Sequence, residues 1–264
     1  AEDHLLLPLL EQVEVLGQLG IHVVLVHGGG PQTTALATRL GLPTRIVDGR
    51  RVTDAATLEA SVLALAGQAN TRVLSAARRA GLAAVGLTGI DGNLLTASQR
   101  PPVPAANGEL VDYGHVGDLE AVDIRLLARL AEAGFVPVIA SLAAAADGAP
   151  LNVNADTVAA ALAVALGAAK LILAVAVPGI LERADDPHSV ISLVDLPGLE
   201  ALAAAGALSG GMLPKAAAIR QALAGGVPRV HVIPAGAPDA LLAEVFTNEG
   251  VGTMVVANGT GAAP

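Results

Sequence analysis

The sequence contains no cysteine and no tryptophan, and only 1% of its 264 residues are aromatic. Without cysteine the chain can form no disulfide, no thiolate zinc site and no cysteine nucleophile. Charged residues are also scarce, at 15%, whereas 53% of the residues are hydrophobic. This balance is the reverse of that of an intrinsically disordered chain, so we expect a folded protein with a sizeable core.

Basic residues are few as well: 15 Lys and Arg stand against 24 Asp and Glu, for a net charge of −9. Such a chain repels polyanions, which argues against a nucleic-acid partner. The most apolar stretch, residues 158–181, contains Gly167 and Lys170 and ends near Pro178. It therefore predicts a helix followed by a buried strand, and we expect no membrane partner. The absence of cysteine leaves the compartment open, and we take the cytoplasm as the default location.

Helical and strand patterns alternate along the chain. Apolar residues at helical spacing in residues 5–19 precede a β-branched run at 22–26, and Pro31 begins the next helix. Further buried strands are predicted at residues 84–87, 136–140, 171–177, 230–233 and 253–256. Since each of these follows a helical segment, we predict an α/β fold, an open, mostly parallel sheet sandwiched between helical layers.

One segment, residues 92–123, interrupts this alternation. It contains Pro101-Pro102, an Asn107-Gly108 turn and an alternating apolar and polar run at 109–113. These features predict an antiparallel β-hairpin inserted into the α/β frame.

Three consecutive glycines, Gly28, Gly29 and Gly30, follow the first predicted strand and precede a helix. Backbone N–H groups of such a loop can approach an anion closely, and the helix N-terminus favours negative charge. A tight strand-to-helix turn is the alternative interpretation. The letters His-Gly-Gly-Gly also occur in the oxyanion loop of esterases, but the sequence lacks the G-x-S-x-G elbow of that chemistry.

Two further candidates flank predicted helices. Asn152, Asn154 and Asp156 precede or open an Ala-rich helix, where they either cap it or present polar groups to a substrate or cations. Lys215 lies near the start of another helix, where its charge opposes the helix dipole, so it has either a functional role or a solvated position.

Arg51 lies in the segment Gly-Arg-Arg-Val-Thr-Asp at 49–54. An arginine can hold a carboxylate through two parallel hydrogen bonds. A surface ion pair with Asp48 or Asp54 is the alternative.

Taken in order, eight segments of the chain resemble the amino acid kinase family, and most closely its acetylglutamate kinases. They are V-x-V-H-G-G-G-P-Q at 24–32, G-R-R-V-T-D at 49–54, A-V-G-L-T-G-I-D-G at 84–92, G-H-V-G-D at 114–118, N-V-N-A-D-T at 152–157, V-P-G-I-L at 177–181, G-G-M-L-P-K at 210–215 and F-T-N-E-G-V-G-T at 246–253.

The resemblance implies two lobes, residues 1–155 for N-acetyl-L-glutamate binding and dimer formation, and residues 156–264 for ATP binding. It also implies phosphorylation of the side-chain carboxylate of N-acetyl-L-glutamate by ATP, to N-acetyl-L-glutamyl 5-phosphate, in arginine biosynthesis. Mg²⁺ would be held mainly by the nucleotide phosphates, with no metal site on the protein. A homodimer or hexamer is implied as well.

Residue roles follow from the same resemblance. The substrate and the transferring phosphoryl group would be held by Gly28, Gly29, Gly30, Arg51, Asn152 and Asn154, with Arg51 on the α-carboxylate. Lys215 would stabilise charge on the phosphates, and Asp156 would orient that lysine. ATP would be bound by Ala176, Gly179, Leu181, Gly210 and Gly211. The inserted hairpin would form a lid over the substrate.

The family also has a lysine in a K-x-G-G strand ahead of these segments, whereas residues 1–38 contain no Lys or Arg. Two alternatives remain open, of which the first follows from this missing lysine. One is a degenerate, non-catalytic kinase-like binding subunit. The other is the related aminoadipate kinase of lysine biosynthesis, whose usual motif differs at residues 51–53.

Overall fold

The structure, a computed structural model, describes residues 3–105, 108–183, 185–208, 210–247 and 250–258. Asn107 of the predicted turn, and Asn248 and Glu249 of the last family-like segment, lie outside the described residues.

Helices alternate with strands along the described chain. In chain order the helices are α1 (Asp3–Gln18), α2 (Gly30–Arg39), α3 (Ala55–Val62), α4 (Asn70–Arg79), α5 (Arg125–Glu132), α6 (Ala155–Ala165), α7 (Leu196–Ala204), α8 (Met212–Ala224) and α9 (Ala240–Phe246). A π-helical segment, Leu63–Ala69, joins α3 to α4 without a break, and a 3₁₀ turn covers Asp91–Asn93.

The described strands are numbered in the same way. They are β1 (Leu25–His27), β2 (Ile46–Val47), β3 (Arg50–Arg51), β4 (Ala84–Thr88), β5 (Leu95–Gln99), β6 (Val103–Pro104), β7 (Leu110–Val111), β8 (Gly117–Val122), β9 (Val136–Ala140), β10 (Leu142–Ala144), β11 (Pro150–Asn152), β12 (Leu171–Val175), β13 (Leu193–Asp195), β14 (Val230–Pro234) and β15 (Thr253–Val256).

The chain divides into two compact units. The N-terminal unit is residues 22–158, and the C-terminal unit combines the described residues up to 21 with those from 159 onward. The sequence predicted the change of lobe at residue 156 and placed the first helix in the N-terminal lobe. Instead α1 packs on α9, because the buried Gln12 accepts hydrogen bonds through Oε1 from Leu241 N (2.9 Å) and Leu242 N (3.3 Å).

The N-terminal unit contains a parallel sheet in the order β1–β9–β4, on which α4 and α5 pack. A second sheet has the order β11–β10–β5–β8, in which β10 pairs parallel with β5 and the other neighbours pair antiparallel. Strands β5 and β8 are the long arms of the inserted segment, and the short antiparallel pair β6–β7 lies between them in sequence. The predicted hairpin insertion is confirmed.

The C-terminal unit contains one sheet, in the order β12–β14–β15–β13. The outer pairs β12–β14 and β13–β15 are parallel, and the central pair β14–β15 is antiparallel. Helices α8 and α9 pack on β14, and α7 packs on β13 and β15. Together with the all-parallel sheet β1–β9–β4, this arrangement confirms the predicted α/β fold, in which the main sheets are mostly parallel and helices pack on them.

Two strands differ in extent from their prediction. The first was expected at residues 22–26, but β1 begins at Leu25 and includes His27, because its ladder with β9 runs from Leu25↔Val138 to His27↔Ala140. Likewise β12 ends at Val175, two residues before the predicted end, where Ala235 N donates the last bond to its carbonyl. In the described part of the chain, no helix is long and apolar enough to cross a lipid bilayer.

The helical stretch from α3 to α4 is fitted tightly to β4. A Cβ atom at Gly86 would lie 2.1 Å from Asn70 Oδ1 and 2.7 Å from Leu74 Cδ1. Asn70 is buried, and its Nδ2 donates to the carbonyls of Leu87 (3.1 Å) and Val138 (3.4 Å). One amide thereby ties α4 to two neighbouring strands, and the fit depends on the missing side chain at Gly86.

We predict that Gly86→Ala lowers the free energy of unfolding by about 1–3 kcal/mol, because the added methyl must displace Asn70. As a control, Gly17→Ala lies in α1 with nothing within 4 Å of the new Cβ, and should stabilise by about 0.5–1 kcal/mol. Urea unfolding of the three proteins measures both changes. Equal stability of Gly86→Ala and the wild type would contradict the close fit.

Candidate active site

A cleft of about 220 Å³ lies in the N-terminal unit, between the glycine loop, the β2–β3 hairpin and the start of α6. Among the described residues that line it are the cations Arg50 and Arg51, and none is an Asp or Glu. The other lining residues are glycines, neutral polar residues and a few apolar side chains, namely Gly28, Gly29, Gly30, Gly49, Thr33, Ser61, Ser141, Asn152, Asn154, Ala155, Ile46, Leu65, Val116 and Val153. This composition suits an anionic ligand that also has an apolar group.

The glycine loop is shaped by close contacts on two sides. A Cβ at Gly29 would lie 2.8 Å from Cδ2 of Leu65, in the π-helical segment, and a Cβ at Gly28 would lie 3.4 Å from Ala155 Cβ. Helix α2 begins at Gly30, and N–H groups in the first turn of a helix lack an intrahelical acceptor. The loop therefore brings free donors and the positive end of a helix dipole to the cleft.

His27 directly precedes this loop. Its Nδ1 lies 3.0 Å from the Gly28 carbonyl oxygen, and burial lowers the pKa of the imidazole. Since the ordinary pKa is 6.5, His27 is neutral at physiological pH and adds no charge to the cleft.

Arg51 is held in place by neutral acceptors. Its Nη2 donates to Thr34 Oγ1 at 2.6 Å and to the Gly30 carbonyl at 3.1 Å, and its Nη1 donates to Thr44 Oγ1 at 3.4 Å. Burial lowers the pKa of the guanidinium, which nevertheless stays charged. Of the two alternative partners, Asp54 instead caps α3 by accepting from Thr57 N at 2.8 Å.

Thr53 is fully buried and connects the segments around the cleft. Its N–H donates to the Tyr113 carbonyl (2.9 Å), and its carbonyl accepts from His115 N (2.7 Å). Its Oγ1 donates to the Arg51 carbonyl (3.1 Å) and accepts from Asn152 Nδ2 (3.3 Å). Asn152 N donates in turn to the His115 carbonyl at 2.9 Å. One buried threonine thus links the arginine hairpin, the inserted segment and the end of β11.

Asn154 caps helix α6. Its Oδ1 accepts from Thr157 N at 3.0 Å and lies 3.4 Å from Thr157 Oγ1. The capping interpretation therefore holds for this oxygen, although the residue also lines the cleft. Asp156 lies in the first turn of the helix, and its negative charge raises the pKa of Arg50.

The remaining expected residues lie in the C-terminal unit. Ala176 is exposed directly after β12, at the carboxyl end of two parallel strands, where ligands of open α/β sheets bind. Gly210 and Gly211 are exposed at the N-terminal end of α8, and Lys215 is half-buried in the first turns of that helix.

Gly179 is packed against β15. A Cβ there would lie 2.8 Å from Thr253 Oγ1, and this oxygen accepts a hydrogen bond from Ile180 N at 2.8 Å. Leu181 continues the turn with an antiparallel bridge to Val190. The segment proposed for ATP is thus fixed to the buried Thr253.

A buried hydrogen-bonded pair of side chains, His231 and Glu244, lies beside this strand. His231 Nδ1 donates to Glu244 Oε1 at 2.6 Å, and both side chains are almost fully buried. Glu244 Oε2 accepts from Val251 N at 2.9 Å, in the loop that leads to Thr253. The hydrogen bond from His231 holds the pKa of Glu244 below its ordinary value of 4.5, against the opposing effect of burial.

The structure brings all six residues expected to bind the substrate together. The three glycines, Arg51, Asn152 and Asn154 line one cleft. Sequence reasoning missed Arg50, Thr34 and Leu65. Arg50 could have been found as the neighbour of Arg51, whereas the other two have no local signal in the sequence.

Comparison with known proteins places the chain in a family. A sequence model of the amino acid kinase family matches residues 1–234. The chain therefore belongs to the amino acid kinase family.

Individual relatives are more specific. The chain is 52% identical over 251 residues to the acetylglutamate kinase of Myxococcus xanthus, in an alignment that covers 93% of this chain and 82% of that protein. It is 44% identical over 247 residues to the acetylglutamate kinase of Symbiobacterium thermophilum, covering 94% and 84%. Among solved structures, N-acetylglutamate synthase from Neisseria gonorrhoeae, complexed with coenzyme A and N-acetyl-glutamate, has a TM-score of 0.81 at 28% identity, over 96% of this chain and 56% of that one.

We predict that Glu244→Gln lowers the free energy of unfolding by about 1–3 kcal/mol at pH 7, because a buried charged hydrogen bond is lost. A depressed carboxyl pKa contributes stability above the ordinary value of 4.5, and this contribution is lost as pH falls through the folded-state pKa. The difference between wild type and variant should therefore shrink below pH 4.5.

Urea unfolding across a pH series measures this difference. The control is Glu200→Gln, which removes an exposed ion pair with Arg220 and should change stability by less than about 1 kcal/mol. A Glu244→Gln difference that stays constant down to acid pH would contradict the assignment.

Proposed function

We propose that this chain is an ATP-dependent kinase that phosphorylates the side-chain carboxylate of N-acetyl-L-glutamate in arginine biosynthesis. It is then a phosphotransferase with a carboxyl group as acceptor. The observation that carries the proposal is the 52% identity to an acetylglutamate kinase over 93% of the chain. The anion-binding cleft of the N-terminal unit is consistent with it.

The cleft provides the contacts that an acylated amino acid requires. We assign the α-carboxylate to Arg51, whose guanidinium is already oriented by Thr34 and the Gly30 carbonyl. Asn152 and Asn154 provide amide groups to the amino acid, while Leu65 contributes an apolar surface suited to the acetyl methyl group. The N-terminal unit is therefore proposed to bind N-acetyl-L-glutamate.

Phosphoryl transfer needs positioning and charge neutralisation. An oxygen of the side-chain carboxylate attacks the γ-phosphorus, the bond from that phosphorus to the β,γ-bridging oxygen breaks, and ADP leaves with N-acetyl-L-glutamyl 5-phosphate as the other product. We assign the N–H groups of Gly29 and Gly30 to the transferring group. Lys215 stabilises charge on the phosphates, and Asp156 orients this lysine.

ATP is assigned to the C-terminal unit, at Ala176, Gly179, Leu181, Gly210 and Gly211. The exposed strand ends and the glycines at the start of α8 suit phosphate binding. As the family resemblance implies, we assign Mg²⁺ to the nucleotide phosphates. When bound there, it neutralises phosphate charge. The family resemblance is also our basis for proposing a cytoplasmic homodimer or hexamer.

An ADP-release assay with MgATP and N-acetyl-L-glutamate tests the function. We expect turnover by the wild type and a fall in kcat of about 10²–10³-fold in Lys215→Ala, because a charge stabilising the transition state is lost. The control is Arg220→Ala, on the same helix but exposed and paired with Glu200, which should keep wild-type kcat.

The two alternatives give different results in this assay. Binding of N-acetyl-L-glutamate without ADP release would indicate a non-catalytic subunit. ADP release with carrier-linked aminoadipate in place of N-acetyl-L-glutamate would indicate the lysine-biosynthesis kinase. Either result would overturn the proposal.

We further predict that Thr34→Val raises the KM for N-acetyl-L-glutamate by about five- to tenfold, because Arg51 loses its shortest hydrogen bond. The KM for ATP should not change. The control is Thr38→Val, one turn further along α2, where the hydroxyl bonds only the Thr34 carbonyl among the described groups. An unchanged KM in Thr34→Val would show that Arg51 is positioned without this contact.

A further inference from the structure

Arg50 is a cation of the cleft lining for which the described residues provide no hydrogen bond and no close ion pair. It lines the cleft beside Arg51 and is half-buried. Within the described residues, its side chain has no hydrogen bond and no ion pair within 4.0 Å. A half-buried charge without a partner is unfavourable unless a ligand compensates for it.

Neighbouring arginines of the same unit differ in this respect. Arg100 forms a bidentate ion pair with Asp118, and Arg45 pairs with Glu109. Arg51 is bonded by the Thr34 hydroxyl and the Gly30 carbonyl. Of these four arginines, Arg50 alone has no acceptor within hydrogen-bond distance among the described residues, although it lines the cleft.

The electrostatic surroundings of Arg50 distinguish it from Arg51. Burial lowers the pKa of Arg50 and the like charge of Arg100 lowers it further, whereas Asp118, Tyr113 and Asp156 raise it. For Arg51, burial is the cause of the lowered pKa. Of the two arginines, Arg50 is thus the one whose pKa is influenced by the carboxylate of Asp156, at the start of α6.

We propose that Arg50 is a second substrate-binding cation, whose guanidinium pairs with the side-chain carboxylate of the acyl amino acid while Arg51 holds its α-carboxylate. This inference rests on the proposed function. The cleft is then built for a dianion: two arginines on adjacent positions of β3 neutralise two carboxylates, and no described Asp or Glu of the lining competes for them.

The pairing also has a consequence for the reaction. The attacking carboxylate and the γ-phosphate are both anions and repel each other. A fixed guanidinium beside the carboxylate reduces that repulsion without moving a proton, since arginine stays charged. Arg50 therefore positions the nucleophile and lowers the cost of bringing it to the phosphate.

Calorimetric titration of the whole chain with three ligands tests the proposal. The ligands are N-acetyl-L-glutamate, N-acetyl-L-isoglutamine, which lacks the α-carboxylate, and N-acetyl-L-glutamine, which lacks the side-chain carboxylate. We expect Arg50→Gln to bind the first two about tenfold or more weakly than the wild type, because a charge-assisted contact is lost. Its affinity for N-acetyl-L-glutamine should change by less than about twofold.

Two further variants accompany this measurement. Arg50→Lys keeps the charge without the planar fork and should retain an intermediate affinity. Arg129→Gln removes an exposed arginine paired with Glu132 and should bind all three ligands like the wild type. Thermal unfolding of each variant shows whether the fold is retained.

Several outcomes would overturn the proposal. Wild-type affinity of Arg50→Gln for N-acetyl-L-glutamate would remove Arg50 from the site. An equal loss for all three ligands would show a structural role, and a loss confined to ligands with the α-carboxylate would reverse the assignment of the two arginines. If the wild type itself failed to bind N-acetyl-L-glutamate, the proposed function would fall, and the role of Arg50 with it.

Discussion

The hydrogen bonds of Thr53 are the interaction on which the candidate site depends. Through its backbone and its hydroxyl, this buried residue joins Tyr113, His115, Asn152 and the carbonyl of Arg51. The segments it connects are far apart in sequence and come from three parts of the unit. Because buried polar groups in a low-dielectric interior are costly to leave unpaired, each of these segments stabilises the position of the others. The cleft is therefore formed by the folding of the whole unit and does not depend on one loop.

Charge in the cleft is the second organising feature. Helix α2 presents its positive N-terminal end at Gly30, and Arg50 and Arg51 add two cations, while the lining of the described cleft contains no carboxylate. The chain as a whole is acidic, with a net charge of −9. The positive potential of the cleft attracts a small dianion. The negative charge of the rest of the surface repels larger polyanions.

The sequence predicted the fold class, the inserted hairpin and six strands (β1, β4, β9, β12, β14 and β15), because hydrophobic periodicity and glycine positions are local signals. It did not predict the short strands β2, β3, β10, β11 and β13. It also predicted the glycine loop, Arg51 and Asn152 as neighbours, through an ordered set of motifs. It did not predict the attachment of α1 to α9 by Gln12, since a buried glutamine in a helix has no pattern that names its partner 229 residues away. Thr34 and Leu65 were missed for a similar reason. Their roles arise from packing against Arg51 and Gly29, and packing is not encoded in residue type or spacing.

The π-helical segment Leu63–Ala69 places constraints on chain length. Each π turn contains an extra residue compared with an α turn, and successive residues of an α-helix are rotated by about 100°. The π-helical segment sets the rotation of the helix on either side of it. Only with this rotation does Leu65 pack against Gly29 and Asn70 donate its hydrogen bond to β4. Loss of one residue here would turn α4 by about 100° relative to α3 and carry Asn70 away from its two carbonyl acceptors. A residue gained or lost in this stretch would therefore disrupt the fit between the helices and β4, whereas a change of length in a surface loop of the same unit would leave that fit intact.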